Sequence, residues 1–460
     1  MTNFILFLTG IILVIFVLKM KKINIVPDNF EIERPPDISA TKPEKIDIND
    51  EKLNLFKTIA ESNKHFFITG KAGTGKSLLL QYLRQKTTKE VIVVAPTGVA
   101  AINVGGQTIH SLFRIPPNFI AMDSLPFNHN VAEVLRHIDM ILIDEVSMVR
   151  ADLMDAIDFR LRQSREDPMP FGGVQVVMFG DLYQLPPIVS DQELQKYFVD
   201  NHGGFHFFNA NVWQNVEFEK YELKDVFRQK DKEFKDLLNA IRVGENSPEI
   251  MNAINSRVNA KLPESGYIHL CSTNATATRI NTEKLNSIAE PEFAFSASIT
   301  GEMDEKSFPA DEVLKLKKGA QVMMLKNDFD KRWVNGTLAT ISSVDNGEIK
   351  VEVDGISYSV APALWQKIKY NYNRKTKKIE EKVVSSFTQY PIRLAWAVTI
   401  HKAQGKTFDK IIVDMEGGSF AAGQTYVALS RCTTLDGVFL TNKIYSQDIK
   451  VDPNVVNFMS

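Results

Sequence analysis

Eight consecutive residues, Gly70-Lys71-Ala72-Gly73-Thr74-Gly75-Lys76-Ser77, limit what this chain can fold into more than any other feature. They fill every fixed position of the pattern G-x-x-x-x-G-K-[ST]. The apolar run Phe66-Phe67-Ile68 precedes them, and a helical pattern over residues 78–84 follows. Strand, glycine-rich turn and helix in that order make a loop whose backbone N–H groups wrap around phosphates. Gly70, Gly73, Thr74 and Gly75 form the cradle. Lys76 can reach the β- and γ-phosphate oxygens, and Ser77 can hold Mg²⁺. A later Gly405-Lys406-Thr407 is not a second such loop, because Ile400 stands where the first glycine belongs.

The surrounding pattern fits an α/β fold. Short apolar runs at residues 66–68, 91–95, 140–143 and 174–179 alternate with helical stretches. Unbroken apolar strands separated by helices mark a parallel sheet covered on both faces. A second group at residues 268–271, 411–414 and 438–440 predicts a second α/β domain. Between its parts, residues 311–390 change character. Ile349, Val351 and Val353 alternate with Lys350, Glu352 and Asp354, just after the turn pair Asn346-Gly347. That is a hairpin signal, and it predicts a small β-rich insertion.

The strand ending Ile141-Leu142-Ile143 runs into Asp144-Glu145. Downstream of a phosphate loop, such a pair suits Mg²⁺ (Asp144) and orientation of an attacking water (Glu145). Phosphoryl transfer also needs positive charge on the γ-phosphate. Arg228 and Arg431 are two of many arginines, and chemistry alone does not single them out. The 54 Lys and Arg balance 56 Asp and Glu, which excludes a globally basic coat protein but not a local basic groove. Cys271 and Cys432 are the two cysteines, too few for a disulfide framework or a four-thiolate zinc site.

Residues 1–18 carry no charge, and residues 4–18 are apolar except for Thr9 and Gly10. As a helix they span about 27 Å, close to the ~30 Å hydrocarbon core of a bilayer. Lys19, Lys21 and Lys22 follow, and no Lys or Arg precedes. The expectation is a single transmembrane anchor over residues 1–22 with its basic flank, and the body on the cytoplasmic side. Residues 23–45, with Pro27, Pro35, Pro36 and Pro43, are expected to be an extended linker.

In order, seven blocks resemble a superfamily-1B DNA helicase of the petite-integration-frequency type, with RecD-like relatives. The phosphate loop is similar to motif I. Ala95-Pro96-Thr97-Gly98-Val99-Ala100-Ala101 and Thr108-Ile109-His110-Ser111-Leu112-Phe113 are similar to motif Ia and its extension. Asp144-Glu145-Val146-Ser147-Met148 resembles motif II. Phe171-Gly172-Gly173, Phe179-Gly180-Asp181 and Gln184-Leu185-Pro186-Pro187 resemble the family signature and motif III. Phe227-Arg228-Gln229, residues 394–405 and residues 424–431 resemble motifs IV, V and VI. The resemblance covers about residues 46–445.

It implies two RecA-like P-loop NTPase domains, 46–220 and 221–310 with 391–460, and an SH3-like insertion at 311–390. ATP and Mg²⁺ would lie in the cleft, with Gln184 sensing the γ-phosphate and Arg228 and Arg431 touching it. Single-stranded and forked DNA would be the partners, moved 5′ to 3′ by a monomeric motor. Thr97, His110, His401 and Lys402 match positions near bound DNA, and residues 112–131 match a small strand-separating wedge. Residues 367–382 hold seven basic side chains against Glu380 and Glu381, a net charge of +5, with Tyr370 and Tyr372 between them. They read either as a DNA contact or as a solvated hairpin tip. One departure stands out. The family carries a glutamine ahead of motif I that reads adenine, and Lys52 occupies that place. Lysine cannot make the paired donor–acceptor contact of an amide. Two other functions stay open on the sequence: an RNA or RNA–DNA hybrid translocase, and a nucleotide-switched DNA-binding module that does not unwind.

Overall fold

The computed structural model describes residues 23–25, 46, 48–116, 120, 125–189, 191–226, 228–229, 231–258, 260–262, 265–345, 347–415 and 418–460. The expected anchor at residues 1–22 lies outside the described residues, as does most of the linker. Among the described residues no helix is long and apolar enough to cross a membrane. Ile23–Ile25 form a short strand parallel to residues 292–294.

Six parallel strands build the first sheet: β1 (His65–Gly70), β2 (Val91–Ala95), β3 (Gln107–Thr108), β4 (Met140–Ile143), β5 (Gln175–Phe179) and β6 (Phe218–Leu223). Their order is β3-β2-β4-β5-β1-β6. Period-two geometry divides β1, β2, β4 and β5 between two cores. Val93, Leu142, Val177 and Phe179 face one side, where they meet Leu55 and Ile59 of helix α1 (Asp50–Glu61) and Leu79, Leu80 and Leu83 of α2 (Lys76–Lys86). Ile92, Ile141, Ile143 and Val176 face the other, against Leu153, Ile157 and Leu161 of α3 (Ala151–Arg165). Both faces are dry, which explains why these strands are apolar without alternation. Of the described residues of the expected wedge, Phe113, Ile115, Ile120, Leu125 and Val131 are buried in this second core, whereas Arg114, Pro116, Pro126 and Phe127 are exposed.

The second α/β unit begins with α4 (Lys232–Arg242) and β7 (Ile268–Cys271). A β-rich stretch from Glu292 to Leu394 then interrupts it. Five antiparallel strands, residues 321–324, 338–345, 348–353, 356–360 and 392–394, enclose a core around Val322, Ile341, Val351 and Ile392. The unit resumes with β8 (Ala397–Thr399), β9 (Ile411–Asp414), α5 (Gln424–Leu429) and β10 (Val438–Leu440). Its four strands are parallel, in the order β8-β7-β9-β10. The two groups of sequence-predicted strands therefore fall in two separate sheets.

The basic segment 367–382 has an exposed turn, while its strands are docked. It forms a long hairpin, Ala363–Asn373 with Lys378–Gln389, that lies on the first unit. Ile368 and Tyr370 enter the core beside α3, and the Tyr370 hydroxyl accepts a hydrogen bond from the Val93 amide at 3.1 Å. Tyr372 stacks on His137 with ring centroids 3.4 Å apart. Arg374 pairs with Glu133, and Glu381 pairs with Arg84 at 2.5 Å. Lys375, Lys377, Lys378 and Lys382 point to solvent. Net charge alone could not reveal that the tyrosines between the lysines are packing residues.

The chain ends by returning to the first unit. Helix α6 (Pro453–Met459) buries Val455 in the second core of that unit, the one beside α3. Phe458 stacks on Phe208 at 4.2 Å and sits edge-on to Phe207 and Trp213, under the Lys220 ammonium. A buried His206 holds Asp452 at 2.8 Å. The two units are thus joined at both ends of the second. Phe458→Ala should cost about 3 kcal/mol, the usual loss for emptying an aromatic site. Thermal unfolding followed by calorimetry should show a lower first transition. An unchanged melting curve would mean that the terminal helix is not part of the core.

Candidate active site

The carboxyl ends of β1, β4 and β5 lie side by side, and each delivers one part of the site, as expected for open parallel sheets. After β1 the chain enters the glycine loop. Gly73 (φ 83°) and Gly75 (φ 85°) are left-handed, and Gly75 caps α2. A Cβ on Gly73 would meet Arg228 Cβ at 2.5 Å, so the loop is closed over by Arg228. Lys76 Nζ donates to the carbonyls of Gly70 (2.6 Å) and Lys71 (3.2 Å), curling back across the loop. Burial lowers its pKa, against the pull of Asp181 and Glu145. Thr74 is buried, with its hydroxyl on Lys71 O, while Ser77 on the first turn of α2 is exposed.

After β4 come Asp144 and Glu145. Asp144 is nearly buried, and burial raises its pKa. Glu145 is held at φ 50° and ψ 42°, an uncommon conformation for a non-glycine residue that costs about 1 kcal/mol or more. Such strain persists where surrounding structure over-determines it, most often at functional sites. Burial, and then the Asp144 charge, push the Glu145 carboxyl up to about 7. A hydroxyl (Ser77) and a carboxylate (Asp144) are hard oxygen donors of the kind Mg²⁺ takes. With so few protein ligands, phosphate and water would complete its coordination.

After β5 comes Asp181, the centre of the site and absent from the sequence-predicted set. It is 1% exposed. Arg242 from α4 reaches it with Nη2 at 3.1 Å and Nε at 3.3 Å. Gln184 Nε2 donates to its other oxygen at 3.2 Å, and the Tyr426 hydroxyl donates to that oxygen at 3.3 Å. Burial alone would raise this carboxyl. The charges of Arg242 and Lys76 and the Gln184 bond outweigh it and hold the pKa below the usual carboxylate range. The Tyr426 oxygen also accepts from the Ala72 amide of the glycine loop at 3.2 Å. One hydroxyl therefore joins α5 to both the loop and Asp181.

Gln404, before the rejected Gly405-Lys406-Thr407 turn, completes the contact between the two units. Its amide donates to Gln184 Oε1 at 3.0 Å and to Glu145 Oε2 at 3.3 Å. Gly423 caps α5 with φ 73°, and a Cβ there would meet the carbonyl oxygens of Tyr183 and Gln184 at 2.4 and 2.6 Å. Only glycine permits so close an approach. Arg431 is buried and donates to Val427 O (2.8 Å) and Ser430 Oγ (2.7 Å). Arg228 donates to Gly405 O at 3.0 Å. Burial lowers both guanidinium groups, Arg431 to about 9 with Arg228 adding to the effect, and Arg228 to about 10.

The structure thus gathers Gly70, Gly73, Thr74, Gly75, Lys76, Ser77, Asp144, Glu145, Gln184, Arg228 and Arg431 around one cleft. Thr97, His110, His401 and Lys402 are placed elsewhere, two on each unit. The Thr97 hydroxyl caps the helix at Gly98–Asn103 by accepting from the Ala100 amide. His110 Nδ1 faces Ile115 O at 3.3 Å. His401 lies parallel to Phe420, with 6.5 Å between ring centroids, and Lys402 is exposed. Asp181 and Tyr426 stood inside recognised blocks but carried no role there. Arg242 and Gly423 had no signal in a single sequence, since their partners lie tens to hundreds of residues away. Removing one side of a buried ion pair strands the other charge, at a cost of about 3–5 kcal/mol. Arg242→Ala should therefore lose about that much in denaturant unfolding. A loss below about 1 kcal/mol would show that Asp181 does not depend on it.

A family model described as PIF1-like helicase matches residues 47–251, and one described as DNA helicase Pif1, 2B domain matches residues 304–344. The ATP-dependent DNA helicase Pif1 of Campylobacter jejuni is 31% identical over 440 residues, covering 88% of this chain and 96% of that protein. The crystal structure of Bacteroides sp Pif1 in complex with ADP-AlF4 is 38% identical and superposes with a TM-score of 0.84, covering 90% of this chain and 97% of that one. The crystal structure of Bacteroides Pif1 bound to ssDNA, at 40% identity and coverage of 90% and 96%, gives a TM-score of 0.64. With these motifs joined in one cleft and relatives matching across nearly their whole length, this chain belongs to the PIF1-like helicase family.

Proposed function

We propose that this protein is an ATP-dependent DNA helicase that moves 5′ to 3′ on single-stranded DNA and opens duplexes in repair, recombination or replication. The observation that carries the reading is the shared bonding of Asp181, Gln184, Tyr426 and Gln404. It ties the phosphate loop of one α/β unit to the second unit, so a change at the γ-phosphate is felt across the cleft. The named relatives are ATP-dependent DNA helicases, and the similar Pif1 structures include one bound to ssDNA and one on DNA unwinding at forked dsDNA.

In this reading the glycine loop and Lys76 hold the triphosphate. Lys76 exchanges its loop carbonyls for phosphate oxygens. Ser77 and Asp144 would hold Mg²⁺, which when bound would supply positive charge to the triphosphate. Glu145 orients and polarises the attacking water. Arg228 and Arg431 spread the developing negative charge, and their burial makes that interaction stronger than it would be in water. Gln184 senses the γ-phosphate through its place between Asp181 and Gln404. When the phosphate leaves, these contacts rearrange and the units shift as rigid bodies. Thr97, His110, His401 and Lys402 line the strand path, one pair on each unit, and residues 112–131 supply the wedge.

The arrangement here superposes better on the Bacteroides structure with ADP-AlF4 than on the one with ssDNA. In our reading the docked hairpin is therefore the DNA-free position of an SH3-like insertion. The uncharged residues 1–18 and their lysine flank support a membrane tether with the motor, a monomer, on the cytoplasmic side.

Strand displacement with ATP and Mg²⁺ on 5′-tailed and 3′-tailed duplexes tests the reading. Opening of the 5′-tailed duplex alone is expected. Opening of the 3′-tailed duplex alone would reverse the polarity, and DNA binding without opening would make the protein a nucleotide-switched module. Lys76→Ala should abolish turnover and leave the fold intact. The pH profile gives an independent check. A water-polarising Glu145 must be deprotonated, so kcat/KM for ATP should fall as pH drops through about 7. A flat profile between pH 6 and 8 would remove Glu145 from that role.

A further inference from the structure

Three consecutive residues in the turn after β8 meet charged groups of the cleft. Gln404 donates to Glu145 and Gln184. The carbonyl oxygen of Gly405 accepts from Arg228 Nη2 at 3.0 Å, and that of Lys406 accepts from Arg431 Nη1 at 3.5 Å. The Lys406 side chain leads to a different part of the molecule. Its Nζ donates to Asn335 Oδ1 of the β-rich stretch at 2.6 Å. A Cβ on the neighbouring Gly336 (φ 102°) would lie 3.3 Å from Lys406 Cβ and 3.7 Å from the Thr407 amide nitrogen, so the two backbones pass close together. Asn335 is tied into its own sheet. Its amide donates to Asn327 Oδ1 at 2.8 Å, and the Gly336 amide donates to Met324 O at 2.8 Å. Trp333 is buried in the core of the five-stranded sheet. A shift of that sheet as a body therefore carries Asn335 with it.

An ammonium is a costly choice for this place. Lys406 is half-buried, and burial, followed by the Arg393 charge, pushes it down to about 8. Its acceptor is a neutral amide, which offsets less of that cost than a carboxylate would. A leucine would cover the same surface without desolvating a charge, but nothing would hold it at one point. A guanidinium carries its donors in a rigid planar fork, so the carbonyls it rests on set where the fork points. Moving those carbonyls re-aims it. Resting on the reading of Arg228 and Arg431 as the γ-phosphate arginines, we propose that Lys406 is a positioning residue, pinning the turn to the β-rich stretch so that the stretch sets where both arginines point. The arginines act on charge that develops during phosphoryl transfer. Mis-aimed, they slow turnover and leave ATP binding largely as it was.

The test is kcat and KM for ATP, measured separately on the full chain with Mg²⁺ and single-stranded DNA. Lys406→Met should lower kcat by about tenfold, inside the roughly 10²-fold that a 1 Å misplacement can cost, with KM within about twofold of wild type. Asn335→Leu, a change confined to the β-rich stretch, should give the same loss. Asn335→Asp keeps an acceptor oxygen for the ammonium and should stay within about twofold of wild type. In the double variant Lys406→Met with Asn335→Leu, kcat should fall no further than in either single variant, because the same bond is lost in all three. Losses that multiply overturn the inference. So does an unchanged kcat in either single variant, even where the melting temperature drops, since Lys406 is then only a brace. A wild-type chain that hydrolyses no ATP overturns the reading of the cleft and this inference with it, whereas hydrolysis indifferent to Lys406 overturns the inference alone.

Discussion

One buried carboxylate holds the two halves of this protein in register. Asp181 lies just after a central strand of the first sheet, shut away from water, and its charge is answered above all by Arg242, with Lys76 and Gln184 adding to it. Arg242 belongs to the second unit, as does Tyr426. The group is therefore satisfied by partners from both units. The remaining contacts at the cleft build on the same pairing. Gln184 is oriented by Asp181, Gln404 by Gln184, and the Tyr426 hydroxyl reaches the Ala72 amide because Asp181 fixes its other side. A buried polar cluster of this kind is stable when fully bonded and costly when one partner leaves. That asymmetry suits an element with two discrete positions.

The electrostatics of the cleft follow from its dryness. Burial raises Glu145 and Asp144 and lowers Arg228, Arg431 and Lys76, so opposite charges gather that would each prefer to be neutral. In our reading a triphosphate with Mg²⁺ relieves this tension by supplying negative charge to the cations and positive charge to the carboxylates. The strained backbone at Glu145 fits the same account, as a side chain held for chemistry at some cost to stability. Away from the cleft, the docked hairpin and the terminal helix fasten the outer parts to the first unit.

Much of this could be read from the amino-acid order, for physical reasons. The parallel strands are short apolar runs because both of their faces are covered. The phosphate loop shows because only glycine supplies its left-handed turns. Glu145, Gln184, Arg228 and Arg431 were legible through the ordered blocks around them. The Asp181–Arg242 pair was not, because a pairing across 61 residues leaves no periodic mark. Neither was the docking of segment 367–382, where Tyr370 and Tyr372 read as interleaved aromatics and proved to be anchors. Thr97 and His110 were legible through their blocks, and the structure adds what the sequence does not show: Thr97 caps a helix and His110 faces a backbone carbonyl.

The central claim is that the Asp181 cluster transmits nucleotide turnover into movement between the two units. Tyr426→Phe tests it most directly, since it removes one hydroxyl and little else from the link between the loop, Asp181 and α5. The quantity to measure is base pairs opened per ATP hydrolysed, with ATPase and strand displacement followed on the same sample. The account predicts continued hydrolysis with a clearly lower yield of opened base pairs per ATP. An unchanged yield, whether or not both rates fall together, would contradict it.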